Sequence, residues 1–395
     1  MPQAVHRESD TFASLPHSAD VDRISGYSMG AVRTQQLSGQ GQQSPVNAFH
    51  RWRAPTDFLA IHTLDCHTGG EALRIVTKGF PELNGKTVLA KRRDCLTHHD
   101  QLRRALMFEP RGHADMYGCL ILPPEREDSH FGVLFMHNEG YSTMCGHAMM
   151  ALVRTAIEAG VVKVVEPLVQ IKIDAPCGQI HAYAFVKNGQ LERIYFDNVP
   201  SFVLALDQQV LVPGLGNVTY TLAYGGAFYA YVDAASIGLS LSENNTEHII
   251  AVGRRIKKAV MASAQIRHPF ETDLSFLYGV IFSAPAESAG VHSRNVCIFA
   301  EGELDRSPTG SGVSGQAAIL HARGQLAIGE SICIESILGS QFEVEVVRTV
   351  EYGAHRAVIP RVSGSAHITG QHIFYIDPQD PLREGFIFRG SENAS

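Results

Sequence analysis

Two segments of this chain carry the same punctuation. Met144-Cys145-Gly146-His147 opens a helix-forming run that closes at Gly160, with Glu166 beyond it; Asp305-Arg306-Ser307-Pro308-Thr309-Gly310-Ser311-Gly312 opens a run that closes at Gly324, with Glu330 beyond it. The interval from Cys145 to Gly160 equals that from Thr309 to Gly324, and each glycine stands equally far from its glutamate. A short apolar run precedes each segment. Such matched spacing reads as an internal duplication and restricts the chain to folds built from two similar halves. The halves differ where chemistry would sit: one has a thiol at the helix start, the other a hydroxyl.

The rest of the pattern fits two halves. A chain of 395 residues is long enough for two domains with separate cores. Strand-like runs outnumber helices, and the natural division is 57–200 and 201–362, with 363–390 packing back onto the first. This predicts an α+β architecture with a cleft between two similar domains. Thr97 reads as the cap of a helix through Leu102, Ala105 and Leu106 that stops before Pro110. A longer helix is expected near 245–264. Residues 1–56, rich in Ser, Gln and Gly, read as a disordered tail.

Bulk properties exclude several function classes. A net charge of -7 argues against a nucleic-acid surface. No apolar run approaches the ~20 residues needed to span a bilayer. The 7 cysteines form no CxxC pair, so no zinc ribbon or thioredoxin motif is signalled. Most sit in apolar runs and read as small buried hydrophobes in a reducing compartment, which makes cytoplasmic residence the default.

Cys145 is different, because its surroundings are polar and glycine-bearing. A cysteine at a helix N-terminus feels the positive end of the macrodipole and free backbone N–H groups, both of which favour thiolate. Gly146 and His147, and Gly310 and Ser311 in the other half, offer free N–H groups and close backbone approach, suited to a substrate carboxylate. Asp305 reads either as a turn residue capping a backbone N–H or as a carboxylate for a substrate ammonium. His147 as a base for Cys145 is disfavoured, since side chains two residues apart at a helix start should diverge. His98-His99-Asp100 reads as a solvated helix start. No ligand spacing supports a metal at Cys145 and His147.

With Asp65-Cys66-His67-Thr68-Gly69-Gly70-Glu71, Glu109-Pro110-Arg111-Gly112-His113 and Gly364-Ser365-Ala366-His367-Ile368-Thr369-Gly370 added, these segments resemble the proline racemase family, in the same order from about residue 58 to Phe388. Within it, Thr309 in place of a second cysteine, together with Tyr224-Gly225-Gly226-Ala227-Phe228-Tyr229-Ala230, resembles the branch that dehydrates trans-3-hydroxy-L-proline. The resemblance implies a diaminopimelate-epimerase-like fold and cofactor-free chemistry on a small hydroxyproline substrate. A homodimer is an assembly open to it. It further implies catalytic positions at Cys145 and Thr309. Gly146, His147, Gly310 and Ser311 would hold the substrate, chiefly its carboxylate, and Asp305 with His147 its ring amine.

The chemistry can be argued beside the resemblance. Racemisation needs a proton exchanger on each face of the α-carbon, and a threonine hydroxyl is far too weak an acid to be one. In trans-3-hydroxy-L-proline the hydroxyl and the α-hydrogen share a face, so their loss is a syn elimination that needs acid and base on one side only. That favours a lyase giving Δ1-pyrroline-2-carboxylate. The alternatives are a proline racemase or 4-hydroxyproline 2-epimerase, a catalytically silent amino-acid-binding protein, and, more distantly, a cysteine hydrolase.

Overall fold

The computed structural model describes residues 45–388. The described residues fall into two units, 45–53 and 54–388. In the first, Pro45–His50 form a short helix, α1; residues 1–44 of the expected disordered tail lie outside the described residues.

The second unit contains β1 (Leu59–Thr68), β2 (Glu71–Lys78), β3 (Tyr117–Leu122), β4 (Phe131–His137), β5 (Leu168–Ala175), β6 (Gly178–Lys187) and β7 (Gln190–Asp197). These are followed by β8 (Phe202–Val212), β9 (Gly216–Tyr224), β10 (Phe228–Asp233), β11 (Leu277–Ala284), β12 (Ser293–Phe299) and β13 (Glu303–Leu304). The last four are β14 (Ser331–Glu335), β15 (Gln341–Tyr352), β16 (His355–Gly364) and β17 (Ala366–Ile376). Pairing runs β17-β1-β2-β3-β4-β5-β6-β7 and then β16-β15-β14-β12-β11-β10-β9-β8, with β13 added to β12. The order is symmetric about the β7–β16 seam, where Ile194 to Asp197 pair with Gly364 to Arg361. Arg361 clamps the seam by donating to both oxygens of Asp197, at 2.7 and 3.0 Å.

Parallel neighbours need a crossover connection, and the parallel pairs of the two arrays correspond. β2 and β3 bracket α2 (Val88–His98) and α3 (Asp100–Met107), as β10 and β11 bracket α5 (Thr246–Ser263). β4 and β5 bracket α4 (Gly146–Glu158), as β12 and β14 bracket α6 (Gly310–Ala322).

The last two helices decide where the site forms. α4 is buried without a break from Gly146 to Val153, and α6 from Gly310 to Ile319. A helix this apolar all round belongs in a core. α6 is rich in Gly and Ser, so its helicity depends on that packing rather than on propensity. Both end alike. Gly160 and Gly324 each take φ 69, and the next residue donates back to the helix, Val161 to Ala156 and Gln325 to Leu320. Glycine reaches this left-handed cap without a Cβ penalty. One core cluster joins α4 and α6 through residues such as Met149, Leu152, Val313 and Ala317. Separate clusters lie under α2–α3 and α5.

The α+β fold with two similar arrays is as expected; several local readings are corrected. Thr97 caps nothing. It lies inside α2, where its hydroxyl donates to the Arg93 carbonyl at 2.8 Å, and the cap of α2 is Thr87, which accepts from Ala90 N. Only Val88 and Cys95 of α2 are buried, so the helix has no apolar period to read. His98 ends α2 and binds Asp94 at 3.0 Å, while His99 caps α3 and Asp100 opens it, so the segment is a helix start as expected. β8 has no clean alternation because its register slips twice, near Val203–Ala205 and Ala205–Gln208. Among the described residues no helix is long and apolar enough to cross a membrane.

Candidate active site

The N-termini of α4 and α6 meet backbone to backbone. A Cβ on Gly146 would lie 2.4 Å from the Gly310 Cα, and a Cβ on Gly310 2.5 Å from the Gly146 Cα. Only glycine permits that approach. Each helix's N-cap residue, Cys145 and Thr309, is thereby brought to the wall of one small buried cavity. Gly146, His147, Asp305, Gly310 and Ser311 line it as well. All the residues singled out in the sequence thus converge on one space.

That space is ≈ 20 Å³, room for about one water and too small for an amino-acid ring. Its remaining walls are Met144 and Tyr229, which lie in segments that carry the family resemblance, and Tyr117, Tyr278, Cys297 and Phe299, which no motif marks. Cys297 reads as another apolar strand residue in β12, and Tyr117 as the first residue of a buried strand. Nothing in their local sequence distinguishes them from core.

The two caps differ in backbone as well as chemistry. Cys145 is extended, at φ -145 and ψ 108. Thr309 takes φ 67 and ψ 93, a strained conformation for a β-branched residue. Two bonds hold it there: Thr309 Oγ1 donates to Asp305 Oδ2 at 2.8 Å, and Thr309 N donates to Ser307 Oγ at 3.1 Å. Asp305 Oδ1 accepts from Ser307 N at 2.7 Å, so Asp305 organises its turn and also presents a carboxylate to the cavity. Tyr229 fixes Ser311 through a 2.7 Å hydroxyl–hydroxyl bond.

The expected divergence of Cys145 and His147 is overturned. The sulfur lies 3.2 Å from Nδ1 and 3.6 Å from Nε2 of His147. Cys145 precedes the helix and is extended, so its side chain does not follow the helical spiral that separates neighbours two apart. The pair is still no thiolate–imidazolium couple. Burial holds His147 down at about 3, partly offset by the Ala72 backbone, so the ring is neutral.

The expected thiolate is also corrected. Burial pushes the Cys145 thiol well above its ordinary value, outweighing the backbone N–H of Ala148, and Asp305 and Glu71 add to the rise. The helix terminus acts in the direction anticipated, but desolvation is the larger effect.

A second carboxyl lies behind the site. Glu71 is fully buried, and its Oε2 accepts from Arg306 N at 2.7 Å; Oε1 has no partner in the structure. Burial, then Asp305, pushes the Glu71 carboxyl well up, and burial also raises that of Asp305. Arg306 pairs with Asp115 at 2.8 Å. Thr68 ties the β1–β2 turn to α4 by donating to the His147 carbonyl at 2.9 Å. Among the described residues no group of three or more His, Cys, Asp or Glu is arranged to hold a metal ion.

The chain as a whole is similar to known proteins. A trans-3-hydroxy-L-proline dehydratase from Colwellia psychrerythraea is 55% identical over 86% of this chain and 97% of its own length. A 3-hydroxyproline 2-epimerase from Burkholderia multivorans is 45% identical over 84% of this chain and 98% of its own. A crystal structure of a hydroxyproline epimerase from Agrobacterium vitis, with bound trans-4-hydroxy-L-proline, superposes with a TM-score of 0.78 at 30% identity, covering 84% of this chain and 96% of that one. The sequence profile of the proline racemase family matches residues 63–387; the chain belongs to that family.

Proposed function

We propose that this chain is a trans-3-hydroxy-L-proline dehydratase, a hydro-lyase that forms Δ1-pyrroline-2-carboxylate and water. The observation that carries the reading is the pairing of one thiol with one hydroxyl at the two helix starts: Thr309 shares the cavity with Cys145 and its proton is committed to Asp305. The dehydratase from Colwellia psychrerythraea, 55% identical, supports it.

In this reading Cys145 takes the α-proton. The resting thiol must first ionise, and a substrate ammonium entering beside it would lower the cost of the thiolate charge. Asp305 pairs with the ring amine, assisted by His147. Backbone N–H groups at Gly146, His147, Gly310 and Ser311 hold the carboxylate and stabilise negative charge as the α-carbon is deprotonated. The C–O bond at the neighbouring carbon then breaks on the same face, and the hydroxyl leaves as water. The resulting enamine tautomerises to the cyclic imine. Thr309 shapes the site and anchors Asp305 without exchanging a proton. Residues 57–200 with 363–390 form one catalytic half, and 201–362 the other. Cytoplasmic residence and a homodimer belong to the same proposal.

The 45% identical 3-hydroxyproline 2-epimerase favours a second reading, inversion at the α-carbon. Incubation with trans-3-hydroxy-L-proline separates the two. The imine, trapped with o-aminobenzaldehyde, is the expected product; accumulation of the cis-3-hydroxy-D-isomer without imine would sink the dehydratase assignment.

A further inference from the structure

A syn elimination needs an acid beside its base, and the base proposed here is a thiol whose own proton balance must close on every turnover. We infer that Tyr117 is that acid, donating its phenolic proton to the departing 3-hydroxyl on the face where Cys145 removes the α-proton. This rests on the dehydratase reading and assigns a residue to the step it leaves open.

The placement carries the argument. Tyr117 begins β3 and lines the same cavity as Cys145. Its ring packs edge-on against His147, centroid to centroid at 4.9 Å, so it flanks α4, the helix that Cys145 caps. Its hydroxyl is held by Ser142, which lies in the loop leading to Cys145. His147 in turn has its Nδ1 3.2 Å from the Cys145 sulfur. The other hydroxyls of the cavity belong to the second array: Thr309 donates to Asp305, Tyr229 is bound to Ser311, and Tyr278 stands on β11 with its ring stacked on Phe299. Tyr117 is therefore the cavity phenol that comes from the same array as Cys145.

The proton count closes. Tyr117 O–H first donates to the Cys145 thiolate. The α-C–H bond breaks, its proton forms the S–H bond, and its electron pair becomes the new C=C bond as the C–O pair leaves with oxygen. Oxygen takes the Tyr117 proton and departs as water. The phenolate then recovers a proton from the adjacent S–H, because a thiol is the stronger acid of the two. Thiolate and phenol are both restored, with no outside donor.

The test compares two leaving groups. Hydroxide needs a proton to leave and chloride does not, so trans-3-chloro-L-proline can eliminate without an acid. In Tyr117→Phe, imine formation from trans-3-hydroxy-L-proline should fall by about 100-fold or more, while elimination from the chloro analogue stays within about threefold of wild type. Equal losses on both substrates would mark Tyr117 as structural, and no loss on the hydroxy substrate would overturn the proposal outright. Should the variant fail to fold, 3-fluorotyrosine at position 117 keeps the hydroxyl and packing but makes the phenol more acidic. It should move the alkaline limb of kcat/KM down by about one unit for the hydroxy substrate and leave the chloro profile in place; an unmoved limb would refute the assignment. Failure of wild type to make imine from the hydroxy substrate would instead defeat the dehydratase reading itself.

Discussion

Gly146 and Gly310 touch through their backbones, each standing where the other's Cβ would be: the Cβ-to-Cα distances would be 2.4 and 2.5 Å. This contact joins the starts of the two buried helices and sets how close their cap residues can come. Either Gly146→Ala or Gly310→Ala must force the helix ends apart. We expect a loss of roughly 1–3 kcal/mol in stability, read by urea denaturation, and about a 100-fold drop in kcat/KM from misplacement of the reacting groups. A variant with wild-type activity would show that the contact is incidental.

Cys145→Ser exchanges a thiol for a hydroxyl of similar size at the same cap. Imine formation should fall by about 1,000-fold or more, because serine cannot supply a base near neutral pH. Thermal unfolding should change little. Activity close to wild type would remove Cys145 from the reaction.

Thr309→Cys restores a thiol to the second helix start. The variant should convert L-proline to D-proline, or exchange its α-proton in D₂O with inversion, at a rate at least about tenfold above wild type. Chiral chromatography gives the readout. Fast racemisation by the wild-type protein would contradict the role given to Thr309.

The pH dependence of activity follows from the thiol. Burial holds Cys145 above its ordinary value, so the thiolate fraction, and with it kcat/KM, should rise with pH from 7 toward 10. His147, held down at about 3, should contribute no limb near 6.5. A profile that falls between pH 7 and 9 would be incompatible with a Cys145 base.

Stability should respond to acid through the same histidine. The unfolded chain binds a proton at His147 near 6.5, whereas the folded chain does so only at about 3. Between these values the unfolded state holds more protons, so the contribution is complete above 6.5 and lost as pH falls toward 3. Across the whole window this amounts to roughly 4 to 5 kcal/mol. His147→Asn should flatten the acid side of the stability curve, measured by urea denaturation at stepped pH.

Sequence and structure agree where the constraint is periodic or stereochemical. The glycines at 160 and 324 mark identical helix caps, and the spacing from Cys145 and Thr309 to those caps revealed two equivalent helices. α2 escaped notice because it buries so little, and β8 because its bulges erase the alternation. At the site, Cys145, His147, Asp305, Thr309 and Ser311 were legible as polar residues clustered at helix starts. Tyr117, Tyr278 and Cys297 were not, because a cavity-facing residue in a buried strand has the same local sequence as a core residue. The ionisation of Cys145 was misjudged for a related reason: the helix start is visible in a sequence, whereas the depth of its burial is set by parts of the chain far away.

The β7–β16 seam has a mechanical consequence. The ≈ 20 Å³ space between Cys145 and Thr309 is walled by residues of both arrays, so widening it means moving one array against the other. Among the described residues the two arrays share one interstrand ladder, from Ile194–Asp197 to Arg361–Gly364. Any such movement turns on that ladder and also has to part the core shared by α4 and α6. Arg361 and Asp197 stand at the seam and outside the cavity lining, so substitutions there can alter how the arrays move without touching the reacting groups.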